Sequence, residues 1–100
     1  HPALAPYKVT ILPLIKKVHA GKANDIYATL CKHFDCQYDE SGSIGKRYRR
    51  SDAIGTPFAI TIDDNTIEND TVTLRDRDTM EQITIKVDEL VSFISKKIEL

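Results

Sequence analysis

The chain has 100 residues, with 14 Lys and Arg against 15 Asp and Glu for a net charge of −1, and it is 41% hydrophobic and 29% charged. That length allows one domain with a real core and excludes a self-contained ATP-dependent enzyme with its own substrate pocket, while the composition excludes wholesale disorder. The small net charge conceals segregation: cations gather at Lys46, Arg47, Arg49 and Arg50 and carboxylates at Asp63, Asp64, Glu68 and Asp70, so local charge decides whether an anionic partner fits.

Residues 1–6 hold two prolines and read as a linker or tag remnant, in a chain whose start at His1 suggests a cut-out piece, so the domain is expected over residues 7–100. Tyr7, Val9 and Ile11 alternate with Lys8, Thr10 and Leu12 to predict a first strand, ended by Pro13. Lys16 to Lys22 is polar and carries Gly21, which predicts a loop or a ragged helix entrance. A helix follows, because Ala23, Ile26, Tyr27, Leu30 and Phe34 recur at three- and four-residue steps, with His33 beside that stripe at the wet end. Cys31 and Cys36 are too few for a disulfide scaffold. With only His33 and the distant His19 they also lack the ligand spacing of a structural zinc site, so they read as reduced thiols. No apolar run approaches the ~18 residues that span a bilayer, and no signal-like segment precedes the first strand.

Cys36 to Glu40 predicts a second strand running into the turn Ser41-Gly42-Ser43-Ile44-Gly45, where small residues let backbone N–H groups approach an anion and a helix opens just after. The P-loop pattern is absent, since Gly42 and Gly45 stand too close together and Arg47 follows Lys46. In the helix, Ile44 and Tyr48 lie one turn apart as anchors and leave Lys46, Arg47 and Arg50 on exposed arcs. A basic run around an aromatic suits a sugar-phosphate backbone with a base stacked on the ring. The same pattern also describes a solvated amphipathic helix with Tyr48 packed inward. Gly55 ends this helix and Pro57 enforces an extended exit.

Pro57 to Asp63 is apolar or small throughout and predicts a central strand covered on both faces. Asp64 to Asp70 lacks the glycine and closing glutamate of a calcium loop and reads as a polar turn. Thr71 to Arg77 and Glu81 to Val87 form a hairpin in which Val72 and Leu74 face Ile83, Ile85 and Val87, with a charged tip at Arg75-Asp76-Arg77-Asp78. Asp88 is expected to cap a last helix with Leu90, Phe93, Ile94 and Ile98 on its buried stripe. The resulting expectation is an α/β domain with a five-stranded mixed sheet and about three helices, parallel in its first half and antiparallel in its second.

The blocks Gly42-Ser43-Ile44-Gly45, Arg47-Tyr48-Arg49-Arg50 and Arg75-Asp76-Arg77-Asp78, in this order and with Leu4-Ala5-Pro6-Tyr7-Lys8-Val9 ahead of them, are specific. They closely resemble the C-terminal anticodon-binding domain of eukaryotic and archaeal-type glycyl-tRNA synthetase over nearly the whole chain. The resemblance implies a class IIa synthetase domain of the kind shared with the threonyl, prolyl and histidyl enzymes. The ligase chemistry, with ATP, Mg2+ and glycine, would then lie in an upstream class II catalytic domain, and this piece would bind without catalysing. It further implies tRNA(Gly) as partner, a homodimeric parent and a cytoplasmic location, with a mitochondrial form as the alternative. A rival class is a protein- and DNA-docking accessory domain related to the mitochondrial DNA polymerase accessory subunit. That family is not expected to keep the charged strand end and the basic helix.

Glycine codons begin with two guanines, so glycine tRNAs carry cytosine at the second and third anticodon positions. A cytosine edge offers one amino donor and two acceptors, which a carboxylate and an arginine complement once the bases are splayed out. On this basis Arg75, Arg77 and Asp78 are expected to read bases, while Lys46, Arg47 and Arg50 hold loop phosphates. Ser41 and Ser43 would add hydroxyl contacts, and Thr61 is a weaker candidate because a central strand buries it.

Overall fold

The computed structural model describes residues 7–40 and 42–98, so the expected linker at residues 1–6 and the candidate Ser41 lie outside the described residues. The strands are β1 (Val9–Pro13), β2 (Cys36–Tyr38), β3 (Phe58–Ile62), β4 (Thr71–Asp76) and β5 (Gln82–Lys86). The helices are α1 (Lys16–Cys31), α2 (Ile44–Ala53), α3 (Asp64–Asn69) and α4 (Leu90–Ile98), the last preceded by a 3₁₀ turn at Val87–Glu89. The sheet order is β2-β1-β3-β4-β5, with β1 parallel to β2 and β3 and antiparallel pairing from β3 to β5. The expected five-stranded mixed sheet is therefore present. Four helices lie among the described residues, rather than about three. No helix among the described residues is long and apolar enough to cross a membrane.

Strand order decides where the helices go. The connection from β1 to β2 and the one from β2 to β3 step across the sheet in opposite directions. Two right-handed crossovers of opposite direction place α1 and α2 on opposite faces. One face, carrying Val9, Ile11, Phe58, Ile60, Ile62, Val72, Leu74 and Ile85, packs on Ala23, Ile26 and Leu30 of α1 and on Leu90 and Ile94 of α4. β3 lies in the middle of the sheet and all five of its residues are buried, as its apolar sequence requires. Register confirms the hairpin expectation, with Val72 opposite Ile85 and Leu74 opposite Ile83.

Of the two expectations for Lys16 to Lys22, a loop or a ragged helix entrance, the second is the one present, since helix α1 begins at Lys16; two further expectations, for Asp64 to Asp70 and for Asp88, fail. No side chain of the usual kind caps α1; instead the Ile15 amide donates to Nδ1 of His19 at 2.9 Å, and His19 Nε2 lies 2.8 Å from Asp64 Oδ1 on α3. An Nδ1 that accepts fixes the Nε2–H tautomer, so this buried histidine donates to the carboxylate and ties the start of α1 to that of α3. The polar turn at Asp64 to Asp70 is in fact α3, formed by a capping box. Asp63 accepts the Thr66 amide at 3.3 Å and the Thr66 hydroxyl accepts the Asp63 amide at 3.1 Å. Asp88 does not cap the last helix, because it lies inside the 3₁₀ turn, which follows Lys86 with no side-chain cap.

Candidate functional site

Helix α2 covers the second face of the sheet, over β1 and β3, and its underside is polar. Ser51 shares a buried 3.1 Å hydrogen bond with Thr10, and the Tyr48 hydroxyl bonds Thr61 Oγ1. Beyond it, the β4 and β5 side chains on this face are Thr71, Thr73, Arg75, Gln82, Thr84 and Lys86, from half-buried to exposed. Ser43 opens α2 as its cap, accepting the Lys46 amide at 3.3 Å. The C-terminus closes with the Gly55 amide on Asp52 O and the Thr56 amide on Ser51 O, both at 3.1 Å. That pairing needs the left-handed φ of +79° at Gly55, which a residue without Cβ adopts freely.

Arg47 departs from expectation. It is only 4% exposed and points into the protein rather than along an outer arc. Its Nη1 donates to the carbonyl of Pro13 and, at a longer 3.5 Å, to that of Asp39, and its Nη2 donates to that of Leu14 at 3.3 Å. The reason lies in strand length. Ile11 O accepts the Asp39 amide on the β2 side, but β2 has ended by the next carbonyl facing that way, Pro13 O. The guanidinium supplies the donor that a longer strand would have supplied. Arg47 therefore has no arc from which to meet a phosphate, and its buried Nε has no hydrogen-bond partner among the described residues.

The remaining cations divide by partner. Arg50 forms a two-point pair with Asp39, Nε to Oδ2 at 2.9 Å and Nη2 to Oδ1 at 2.8 Å. Lys46 and Arg49 have no carboxylate partner among the described residues, and with Arg50 and Ala53 they line a shallow groove on the outside of α2. Lys46, Arg49 and Ala53 are three and four residues apart, so this groove runs along the helix toward its C-terminus.

That C-terminus meets the tip of the β4–β5 hairpin. Arg75 Nη1 lies 3.0 and 3.1 Å from the two carboxylate oxygens of Asp52, its Cζ is 5.1 Å from the Tyr48 ring centroid, and its Nη2 is 3.3 Å from Met80 Sδ. Arg77 Nε donates to the Asp52 carbonyl at 3.0 Å, where a cation also complements the negative end of the helix dipole. Arg77 Nη1 is 3.5 Å from Asp78 Oδ1, with the two side chains 42% and 60% exposed; Arg75 is 12% exposed. Of the expected site residues, Arg77 and Asp78 thus stand in the open beside the C-terminus of α2, while Lys46 and Arg50 line the groove on its outer side. Arg75 and Thr61 are committed inside the protein, Ser43 is a cap, and Ser41 lies outside the described residues. Sequence reasoning missed Asp52, Arg49 and Asp39. Arg49 was visible in the basic run; nothing local announces Asp52 or Asp39, whose partners lie 23 and 11 residues away.

Burial pushes the Cys36 thiol up to about 12, with the neighbouring Cys31 adding to the rise, which keeps it a protonated core residue at neutral pH. Among the described residues no three His, Cys, Asp or Glu side chains are placed to hold a metal ion.

The anticodon binding domain family model matches residues 8–97. Glycine–tRNA ligases from Clostridium kluyveri and Clostridium tetani are 62% and 60% identical over 99 residues, which is 99% of this chain and 21% of theirs, and that of Bacillus cereus is 58% identical over the same span. The chain thus spans about a fifth of the length of the curated relatives it matches, and the eukaryotic and archaeal-type label drawn from sequence does not describe where these relatives come from. Among solved structures, the RNA-binding domain of threonyl-tRNA synthetase from Cryptosporidium parvum Iowa II superposes with a TM-score of 0.83 at 29% identity, over 91% of this chain and 23% of that one. Prolyl-tRNA synthetase from Cryptosporidium parvum superposes with a TM-score of 0.87 at 27% identity, over 97% and 22%. These relatives do not favour the polymerase accessory reading.

Proposed function

The chain belongs to the anticodon-binding domain family, and from that membership we propose that it recognises the anticodon loop of glycine tRNA as one domain of a glycine–tRNA ligase. The attachment of glycine, with its ATP and Mg2+, is assigned to the remainder of a longer, homodimeric, cytoplasmic parent chain.

The arrangement that supports this reading is a basic groove on the outside of α2 together with a charged hairpin tip held against the C-terminus of the same helix. The outer groove of α2 offers Lys46, Arg49 and Arg50 to an anionic backbone, and the hairpin tip at its end offers the Arg77 fork beside the Asp78 carboxylate. Cations on a helix face position a loop without reading it. A guanidinium and a carboxylate 3.5 Å apart complement a cytosine, the first giving to its N3 and O2 and the second accepting from its amino group.

The test is binding of an anticodon stem-loop of tRNA(Gly) against the same RNA with both anticodon cytosines changed to uridine. The native loop is expected to bind more tightly. Arg77→Ala should remove about 1–3 kcal/mol of that preference, and Lys46→Ala or Arg49→Ala should weaken both RNAs alike and lower the salt slope by about one. Equal affinity of the unaltered domain for the two RNAs refutes the reading.

A further inference from the structure

We infer that Asp52 and Arg75 are positioning residues for base discrimination: together they clamp the C-terminus of α2 to the hairpin tip and so aim the Arg77 guanidinium, an inference that rests on the anticodon reading above.

Arg75 sits in the charged block at the strand end, yet three residues from α2 and the hairpin turn hold it. Asp52 of α2 takes Nη1 with both carboxylate oxygens, the Tyr48 ring lies against the guanidinium, and Met80 of the turn brings its sulfur to Nη2. The Tyr48 hydroxyl is itself tied to Thr61 of the central strand, so the stack beneath Arg75 is anchored in the sheet. Met80 has a φ of +63°, a conformation that a side chain with a Cβ resists, and the surrounding contacts maintain it. At 12% exposure Arg75 is spent on this junction and does not face a ligand.

Asp52 acts at two points. Its carboxylate binds Arg75, while its main-chain oxygen accepts Arg77 Nε as well as the Gly55 amide. Arg77 is also anchored through its own amide, which donates to Pro57 O at 2.9 Å. One helix residue therefore locks the inner arginine and orients the outer one. An arginine free to swing still attracts phosphate but does not discriminate between bases, because discrimination needs donors at fixed places along a base edge. If the Asp52–Arg75 bond is lost, the tip separates from α2 and Arg77 loses the oxygen that orients it.

Two substitutions test this, each with one readout that needs no RNA. Asp52→Asn keeps the shape and the main-chain oxygen but not the charge; Arg75→Lys keeps the charge but not the planar fork. The first readout is hydrogen exchange at Arg77 Nε–H by NMR, on samples whose amide spectra show an intact fold. Exchange should be protected in the parent domain and at least tenfold faster in each variant. In the second, the ratio of affinities for the cytosine and uridine stem-loops should fall at least tenfold, with the salt slope unchanged. Unchanged exchange overturns the clamp. Faster exchange with the affinity ratio retained, or an equal loss for both RNAs, overturns its role in discrimination. If the parent domain itself binds both RNAs alike, the anticodon reading fails and discrimination by the clamp fails with it. The exchange measurement then still decides whether Asp52 and Arg75 orient Arg77.

Discussion

The two faces of the sheet treat their side chains differently, and Arg47 and Arg77 show the consequence. On the closed face, apolar residues of β1, β3, β4 and β5 meet α1 and α4 with no charged member in the cluster. On the other face α2 covers β1 and β3 through hydrogen bonds and leaves the charged end of β4 at a rim. Two arginines that look alike in the sequence end in opposite situations there. Arg47 is buried against strand-end carbonyls and holds the fold together, whereas Arg77 caps the far end of the same helix with its remaining donors directed outward. The lesson is that a basic helix can have a structural inner arginine and an exposed cationic outer side at once.

The contrast can be broken at three points. The largest effect is expected on the closed face, where Ile60→Ala should lower stability by about 2–5 kcal/mol in denaturant unfolding, since it empties space under both covering helices. A loss below about 1 kcal/mol would mean that this face is looser than its burial implies. Next is Arg47→Met, which keeps the stem but leaves the Pro13 and Leu14 carbonyls without their donor. It should lose about 1–3 kcal/mol of stability while leaving the salt slope of RNA binding unaltered. A lowered salt slope with full stability would return Arg47 to the RNA-facing group. The smallest effect is alkaline. Cys36 of the closed face has a folded-state pKa raised to about 12, above its unfolded value, so its contribution is complete below the unfolded pKa and is lost as pH rises toward 12. By pH 9.5 this should remove about 1 kcal/mol, and Cys36→Ala should flatten that part of the stability profile. Equal slopes for the two proteins would show that burial does not hold the thiol protonated.

Much of this was legible from one dimension, because periodicity and local chemistry determine it. The alternation in β3, the facing pairs Val72–Ile85 and Leu74–Ile83, the stripe of α1 from Ala23 to Leu30 and the Gly55 stop all follow from spacing and conformational preference. The resemblance carried by the basic helix and the charged strand end identified the family. The start of α1 was not legible, because its cap is a histidine one turn into the helix, held in turn by Asp64, 45 residues away. Nor could spacing distinguish Arg47 from Arg50. Both lie on α2, and only the early end of β2 decides which one is drawn inward to the carbonyl of Pro13. The amino-acid sequence by itself therefore determined the five strands, three of the four described helices and the family. Tertiary structure alone decided which charges remain for a partner, because a charge is available only where no buried carbonyl or carboxylate from a distant part of the chain has already claimed it.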